Sequence, residues 1–295
     1  MRIFLTGATG YIGSAVLDSL MRAGHQVTAL VRTADAGARL RARGVTPVVG
    51  DLAEPSSYCA AAALSDGAIH AASESSPRGP ELDRSTIEHL IAHGKGFFIY
   101  TSGVWVLGNT KEATEQTAIN PAEHVSWRPA LERLTLDGAR NGLRTIVVRP
   151  GIVYGGSRGI VADLLKNAAN GLVRVIGPGD NHWALVYDRD LGDLYARLVA
   201  EPEASGIYHA TDHGDERVSD IVDAVIAASS NPPAVRHVPI EEARKKMKSY
   251  ADALHLDQVV RSPRARALGW APSLHSVSGN VRRLMEEFRR GKEAA

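Results

Sequence analysis

The chain has 295 residues, 44% hydrophobic and 23% charged, an ordinary composition for a soluble globular protein long enough to bury a substantial core in one large or two modest domains. Its 34 basic and 33 acidic residues leave a net charge of +1, which argues against nucleic acid or an anionic membrane as partner. The first apolar strand begins at Ile3, leaving no room for a signal peptide, and no apolar run approaches the ~20 residues that cross a bilayer, so a cytoplasmic protein is expected.

Ile3, Phe4 and Leu5 read as a strand, and Val16, Leu17, Leu20 and Met21 have helical spacing. Between them lies TGATGYIG, residues 6–13. Gly7 permits the tight turn out of the strand, Gly10 lets the backbone approach a pyrophosphate, and Gly13 lets the helix pack near the sheet. The opening turn of the helix then offers N–H groups and a positive dipole end to phosphates. Strand, glycine loop and helix together point to a dinucleotide site.

A second strand is expected at Gln26–Val31, after Gly24 at the end of the first helix. Thr33 can cap the next helix, which ends at Gly44, and residues 45–49 form the third strand. The single cysteine, Cys59, rules out an internal disulfide and a cysteine-built metal cluster, and in its alanine-rich helical stretch it reads as a small buried hydrophobe. Residues 68–71 and 96–101 are the fourth and fifth strands, and the unbroken apolar run 143–148 is the sixth. Helices are expected near Ile160–Ala169, residues 190–199 and residues 217–228, with a charged amphipathic helix over 281–292.

The alternation gives an α/β fold: a Rossmann-type doubly wound parallel sheet over residues 1–155, rejoined by about residues 183–200, with a smaller substrate lobe over 156–295. At the end of the second strand, where an NAD site carries an acidic residue, this chain has Arg32. A guanidinium holds a 2′-phosphate by charge-assisted hydrogen bonds, so NADP(H) is expected. Arg39 and Arg41 read as a solvated helix face.

These features resemble the extended or atypical short-chain dehydrogenase/reductase superfamily, the NAD-dependent epimerase/dehydratase-like branch. The resemblance covers nearly the whole chain through GDL at 50–52, HAAS at 70–73, RPGIVYG at 149–155, VYDRDLGD at 186–193, GIYHATD at 206–212 and ALGWAPS at 267–273. It implies that Asp51 meets the adenine amine, that Leu52 covers the ring, and that the 70–73 segment and a loop after the sixth strand lie beside the nicotinamide end. The cofactor set it implies is Gly7, Thr9, Gly10, Tyr11, Ile12, Gly13, Arg32, Asp51, Leu52, Ala71, Ala72, Thr101, Pro150, Gly151 and Val153.

The catalytic positions depart from that family's serine, tyrosine and lysine. The serine position falls on Gly103, with Ser102 and Thr101 as displaced hydroxyls, and no Tyr-x-x-x-Lys occurs. His124 and Arg128 stand at the tyrosine and lysine positions. A permanent cation one turn from an imidazole would lower its pKa, and Pro129 fits only a first turn capped by Ser126, which puts His124 ahead of the helix. Ser102, His124 and Arg128 are therefore the candidate catalytic residues, with His124 either a proton donor or a loop residue. Arg128 is expected to contact cofactor or Glu132, and Ser102 to polarise a carbonyl or to bond backbone. Trp105 and Trp127 are candidate pocket walls, with core packing the default for tryptophan, and Tyr154 and Tyr187 are candidate acids on loops, with packing or substrate contact the expected role of each.

His209, Asp212, His213 and Asp215 have metal-like spacing but fall at a strand end and in a polar loop, so no metal is expected. The expected activity is NADP(H)-dependent hydride transfer to or from a small carbonyl or alcohol, by a monomer or homodimer. A non-catalytic NADP(H) sensor and a nucleotide-sugar epimerase or dehydratase are the alternatives.

Overall fold

The computed structural model describes residues 1–293, which cluster into two compact units. The first comprises Met1–Ser102, Trp127–Arg149 and Leu191–Tyr208, and the second Gly103–Ser126, Pro150–Asp190 and His209 onward. Residues 103–126 thus cluster outside the 1–155 segment read from the sequence, and the return to the first unit begins at Leu191.

A seven-stranded sheet is built from β1 (Arg2–Thr6), β2 (Gln26–Val31), β3 (Thr46–Val49), β4 (Gly67–His70), β5 (Phe97–Thr101), β6 (Arg144–Pro150) and β7 (Gly206–Ala210). Its order is β7-β6-β5-β4-β1-β2-β3, and every pairing from β6 to β3 is parallel. Between β1 and β4 the direction of winding reverses, which is where a doubly wound sheet opens a crevice at its carboxyl edge. Ile3, Phe4, Leu5, Ile69, Ile99 and Ile146 are buried along the sheet, as strands covered on both faces require.

Helix α1 (Tyr11–Arg22) buries Val16, Leu17 and Leu20, and the Thr33 hydroxyl accepts the Ala36 N–H to cap α2 (Ala34–Ala42), as its sequence predicts. Helices α3 (Cys59–Ala63), α4 (Gly79–His93) and α5 (Arg128–Asp137) follow. Cys59 is half-buried at the start of α3 instead of fully buried, and burial raises its thiol pKa.

The second unit holds α6 (Ile160–Ala169) and, beyond α7 (Asp188–Ala200), α8 (Val218–Ala228), α9 (Ile240–Met247), α10 (Ser249–Leu254), α11 (Pro263–Ala267) and α12 (Val281–Glu293). Val161, Leu165, Ile221, Val225, Leu284 and Phe288 belong to its core. The glycine-flanked segment after Pro150 is a strand, Ile152–Tyr154, paired in parallel with Leu185–Tyr187, because two β-branched residues and a tyrosine find a partner strand far along the chain. Among the described residues, no helix is long and apolar enough to cross a membrane.

Candidate functional site

Strand register brings the predicted cofactor residues of the first unit to one edge. Thr6 pairs with Leu30 and His70, and Val31 with Val49, so the glycine loop, Arg32, Asp51 and the Ala71–Ala72 peptide all leave the carboxyl end of the sheet. Gly7 has φ +78°, and a Cβ there would lie 2.6 Å from the Ala71 carbonyl and the Ala72 nitrogen. At Gly13 it would lie 2.0 Å from the Gly7 carbonyl. Neither position accepts a side chain.

Gly10 donates its N–H to the Gly7 carbonyl at 2.7 Å and stands at the start of α1. No side chain caps that helix and its first turn, with Tyr11 and Ile12, carries no acid, so the chain itself does not neutralise the positive dipole end. A backbone turn that excludes a Cβ at Gly7 and Gly13 and leads into an uncapped helix start fits a dinucleotide pyrophosphate. Thr9, at the loop tip, is exposed.

Residues that the sequence did not single out fasten this cradle. The buried Thr6 Oγ1 lies 2.7 Å from His70 Nδ1 and accepts the Ala72 N–H at 3.3 Å. His70 Nε2 is 3.5 Å from Asp83 Oδ1, both side chains out of solvent. The glycine loop and the 71–72 turn therefore share one buried polar anchor.

At the other end of the edge, Arg32 is exposed just beyond β2. Asp51 accepts the Ala53 N–H at 2.9 Å, and Leu52 packs against the core of the first unit. Glu74 is held below the usual carboxylate range by hydrogen bonds from Arg78 and Ser76, with a smaller contribution from Arg32. Its pairing with Arg78, four residues on, is a local signal that sequence reading passed over.

Ser102, Thr101 and Arg128 come together in the first unit, but not as expected. The Ser102 hydroxyl donates to Glu132 at 2.5 Å, so it bonds a carboxylate and not backbone. Glu132 also accepts two hydrogen bonds from Arg149, at 3.0 and 2.6 Å. Arg128 consequently does not contact Glu132. It donates to the Thr101 carbonyl at 3.0 Å and lies over the Trp127 ring at 4.6 Å. The Thr101 hydroxyl is 2.6 Å from the Tyr195 hydroxyl. Trp127 packs on the core of this unit.

His124 belongs to the second unit, on the 3-10 turn Glu123–Val125 ahead of α5, and is exposed. Ser126 closes that turn and does not cap α5, whose preceding residue Trp127 makes no side-chain cap. The His124 ring stands 5.1 Å from Tyr250 and 6.1 Å from Trp105, centroid to centroid. Trp105 thus packs against an aromatic neighbour as well as the core.

Tyr154 and Tyr187 are fully buried and 5.7 Å apart, which agrees with the expected packing role; they lie on strands and not on loops, and burial raises both hydroxyl pKa values. Pro150 ends β6. Gly151 and Val153 are also buried, Gly151 donating to the Ala210 carbonyl at 2.9 Å and Val153 pairing with Val186.

The 209–215 cluster is spent on structure. His209 Nδ1 is 3.1 Å from the Arg261 carbonyl, His213 Nε2 accepts the Ser262 N–H at 2.9 Å, and Asp215 pairs with Arg261. Burial pushes Asp212 up to about 7 against the Gly214 N–H that it accepts, and pushes His213 down to about 4. Among the described residues, no group of three acidic, histidine or cysteine side chains could hold a metal ion.

The model of the NAD dependent epimerase/dehydratase family matches residues 3–211. An uncharacterized protein of Saccharomyces cerevisiae, YLL056C, is 31% identical over 96% of this chain and 98% of its own. The 2-alkyl-3-oxoalkanoate reductase of Stenotrophomonas maltophilia is 27% identical over 61% of this chain and 60% of its own. The crystal structure of the Thermus thermophilus UDP-glucose 4-epimerase in complex with NAD superposes with a TM-score of 0.82 at 21% identity, covering 98% of this chain and 99% of that one. By the extent of the family match, over residues 3–211, the chain belongs to the NAD dependent epimerase/dehydratase family.

Proposed function

We propose that this protein is an NADP(H)-dependent oxidoreductase of the atypical short-chain type, reducing a small carbonyl or oxidising the matching alcohol. The observation that carries this reading is Arg32 at the carboxyl end of β2, exposed and level with the glycine cradle by strand register. There a guanidinium favours a 2′-phosphate, whereas the acidic residue of an NAD site would repel it. The bound cofactor would supply or take a hydride at the substrate carbon.

The chain's own part is to hold and orient. Gly7, Thr9, Gly10, Tyr11, Ile12 and Gly13 would receive the pyrophosphate, Asp51 and Leu52 the adenine, and Ala71, Ala72 and Thr101 the nicotinamide end. His124 is the proton donor in this reading, because its imidazole is exposed and held by two aromatic rings. Ser102 and Arg128 act by positioning: one stands on the buried Glu132–Arg149 pair and the other on the Thr101 carbonyl. The reductase relative supports the reaction class.

A second reading, a nicotinamide sensor without turnover, is favoured by one observation: the Ser102 hydroxyl is already bonded to a carboxylate and the Arg128 guanidinium to backbone. Incubating the protein with NADPH and a panel of ketones and aldehydes, followed by NADPH absorbance, separates the two. Consumption of NADPH with alcohol formation supports the oxidoreductase, and binding without consumption across the panel supports the sensor.

A further inference from the structure

Helix α4 turns one face to the core through Leu82, Thr86, Ile87, Leu90 and Ile91, and Asp83 lies buried in the same stripe. A carboxylate at a core position is rarely found without a partner, because taking its charge out of water is costly. Among the described residues its one ion-pair contact is His70 Nε2, at 3.5 Å, and no arginine or lysine pairs with it. The Tyr100 ring stacks 6.0 Å from the imidazole, and His70 is fully buried, so water has no face from which to stand in for Asp83.

The proton positions around this pair follow from a count of donors and acceptors. Thr6 Oγ1 accepts the Ala72 N–H at 3.3 Å, and the acceptor for the Thr6 hydroxyl proton is His70 Nδ1, at 2.7 Å. A nitrogen that accepts carries no proton, so the ring holds its proton on Nε2, the nitrogen that faces Asp83. The opposite tautomer would aim a second donor at the threonine oxygen, leave the threonine proton without an acceptor and point the Nε2 lone pair at a carboxylate. A chain of hydrogen bonds thus runs from α4 through His70 and Thr6 to the Ala72 amide. The Ala71–Ala72 peptide lies so close to Gly7 that a Cβ there would come within 2.6 Å of it, and fixing this peptide fixes the first glycine of the loop.

We propose that Asp83 is a positioning residue for the dinucleotide: it keeps His70 in the Nε2–H tautomer, which directs the Thr6 hydroxyl to Nδ1 and leaves the threonine oxygen to hold the Ala72 N–H against the glycine loop. Asp83 acts only through His70 and Thr6. The inference rests on the oxidoreductase reading for the identity of the ligand as NADPH and goes beyond it by giving a buried acid of α4 a part in cofactor affinity.

The test uses the full chain, with nitrogen NMR of the His70 imidazole in the free protein and calorimetry with NADPH. The wild type is expected to show the Nε2–H tautomer alone. Asp83→Leu is expected to lose that single signature and to bind NADPH about threefold or more weaker. Thr6→Val, similar in shape but without the hydroxyl, is expected to lose as much affinity, and Thr6→Ser to restore it. In one chain of contacts the double variant Asp83→Leu with Thr6→Val binds no worse than the weaker single variant. An Nδ1–H ring or an imidazolium in the wild type, a loss below about threefold in either folded single variant, or single losses that multiply in the double variant overturns the inference. Should Asp83→Leu fail to fold, the two threonine variants and the wild-type signature decide it. A wild type that binds no NADPH overturns the oxidoreductase reading and the part in cofactor affinity, whereas the tautomer, read on the free protein, is upheld or overturned separately.

Discussion

Arg149 and Glu132 form a two-point ion pair with side chains only 3% and 4% exposed, and Ser102 hangs from the same carboxylate. A buried charge left without its partner is far costlier than an exposed one, because its desolvation is no longer offset. Glu132→Ala should therefore lower the unfolding free energy by about 3–5 kcal/mol. Urea denaturation checks this, and a loss below about 1 kcal/mol would mean that water or another group takes over the arginine.

The proton donor is tested by His124→Gln, which keeps a polar side chain of similar reach without an acid. Loss of general acid assistance is expected to reduce kcat by about a hundredfold or more, with the affinity for NADPH unchanged. Wild-type turnover in this variant would assign the imidazole a packing role between Trp105 and Tyr250.

Asp212 predicts a pH dependence of stability. Its folded-state pKa is raised from 3.8 to about 7 by burial, so the stability tied to its protonated form is full below 3.8 and is lost as pH rises through about 7. Asp212→Asn keeps an acceptor for the Gly214 N–H and does not ionise. Relative to wild type, the variant should gain stability steadily between those two pH values, as followed by urea unfolding across the range. His213, lowered from 6.5 to about 4 by burial, acts with the opposite sign: its contribution is present above 6.5 and lost as pH falls through about 4. A difference between Asp212→Asn and wild type that does not change with pH would contradict the assignment.

Lys248, between α9 and α10, has φ +53° and ψ −140°, a conformation that side chains resist. Glycine there relieves strain of order 1–3 kcal/mol against an unfolded-state cost of about 0.5–1 kcal/mol. Lys248→Gly should raise the denaturation midpoint, and a lowered midpoint would show that the lysine is not strained.

Sequence period and glycine placement made much of this fold legible before the structure. The glycine loop, β2, the Thr33 cap and α6 follow from residues within a turn or two of each other, where steric rules act directly. The failures come from distance along the chain. Thr6 and His70 are 64 residues apart, and neither residue type announces the other. Glu132 was within reach of Arg128 by helical spacing, yet Arg149 from β6 holds it, because a buried bidentate pair outcompetes a partner one turn away. Ser126 has the residue type of a helix cap but lies where a 3-10 turn runs directly into α5. Strand Ile152–Tyr154 hides among glycines because its partner comes at Leu185–Tyr187.

The cofactor assignment carries the rest, and calorimetry of wild type and Arg32→Ala with NADPH and NADH tests it most directly. The account predicts one NADPH site per chain, tighter for NADPH than for NADH, and a loss of about tenfold or more in NADPH affinity alone on removing the guanidinium, as expected for one charge-assisted contact. Heat from neither nucleotide, or equal affinity for both in wild type and variant alike, would contradict it.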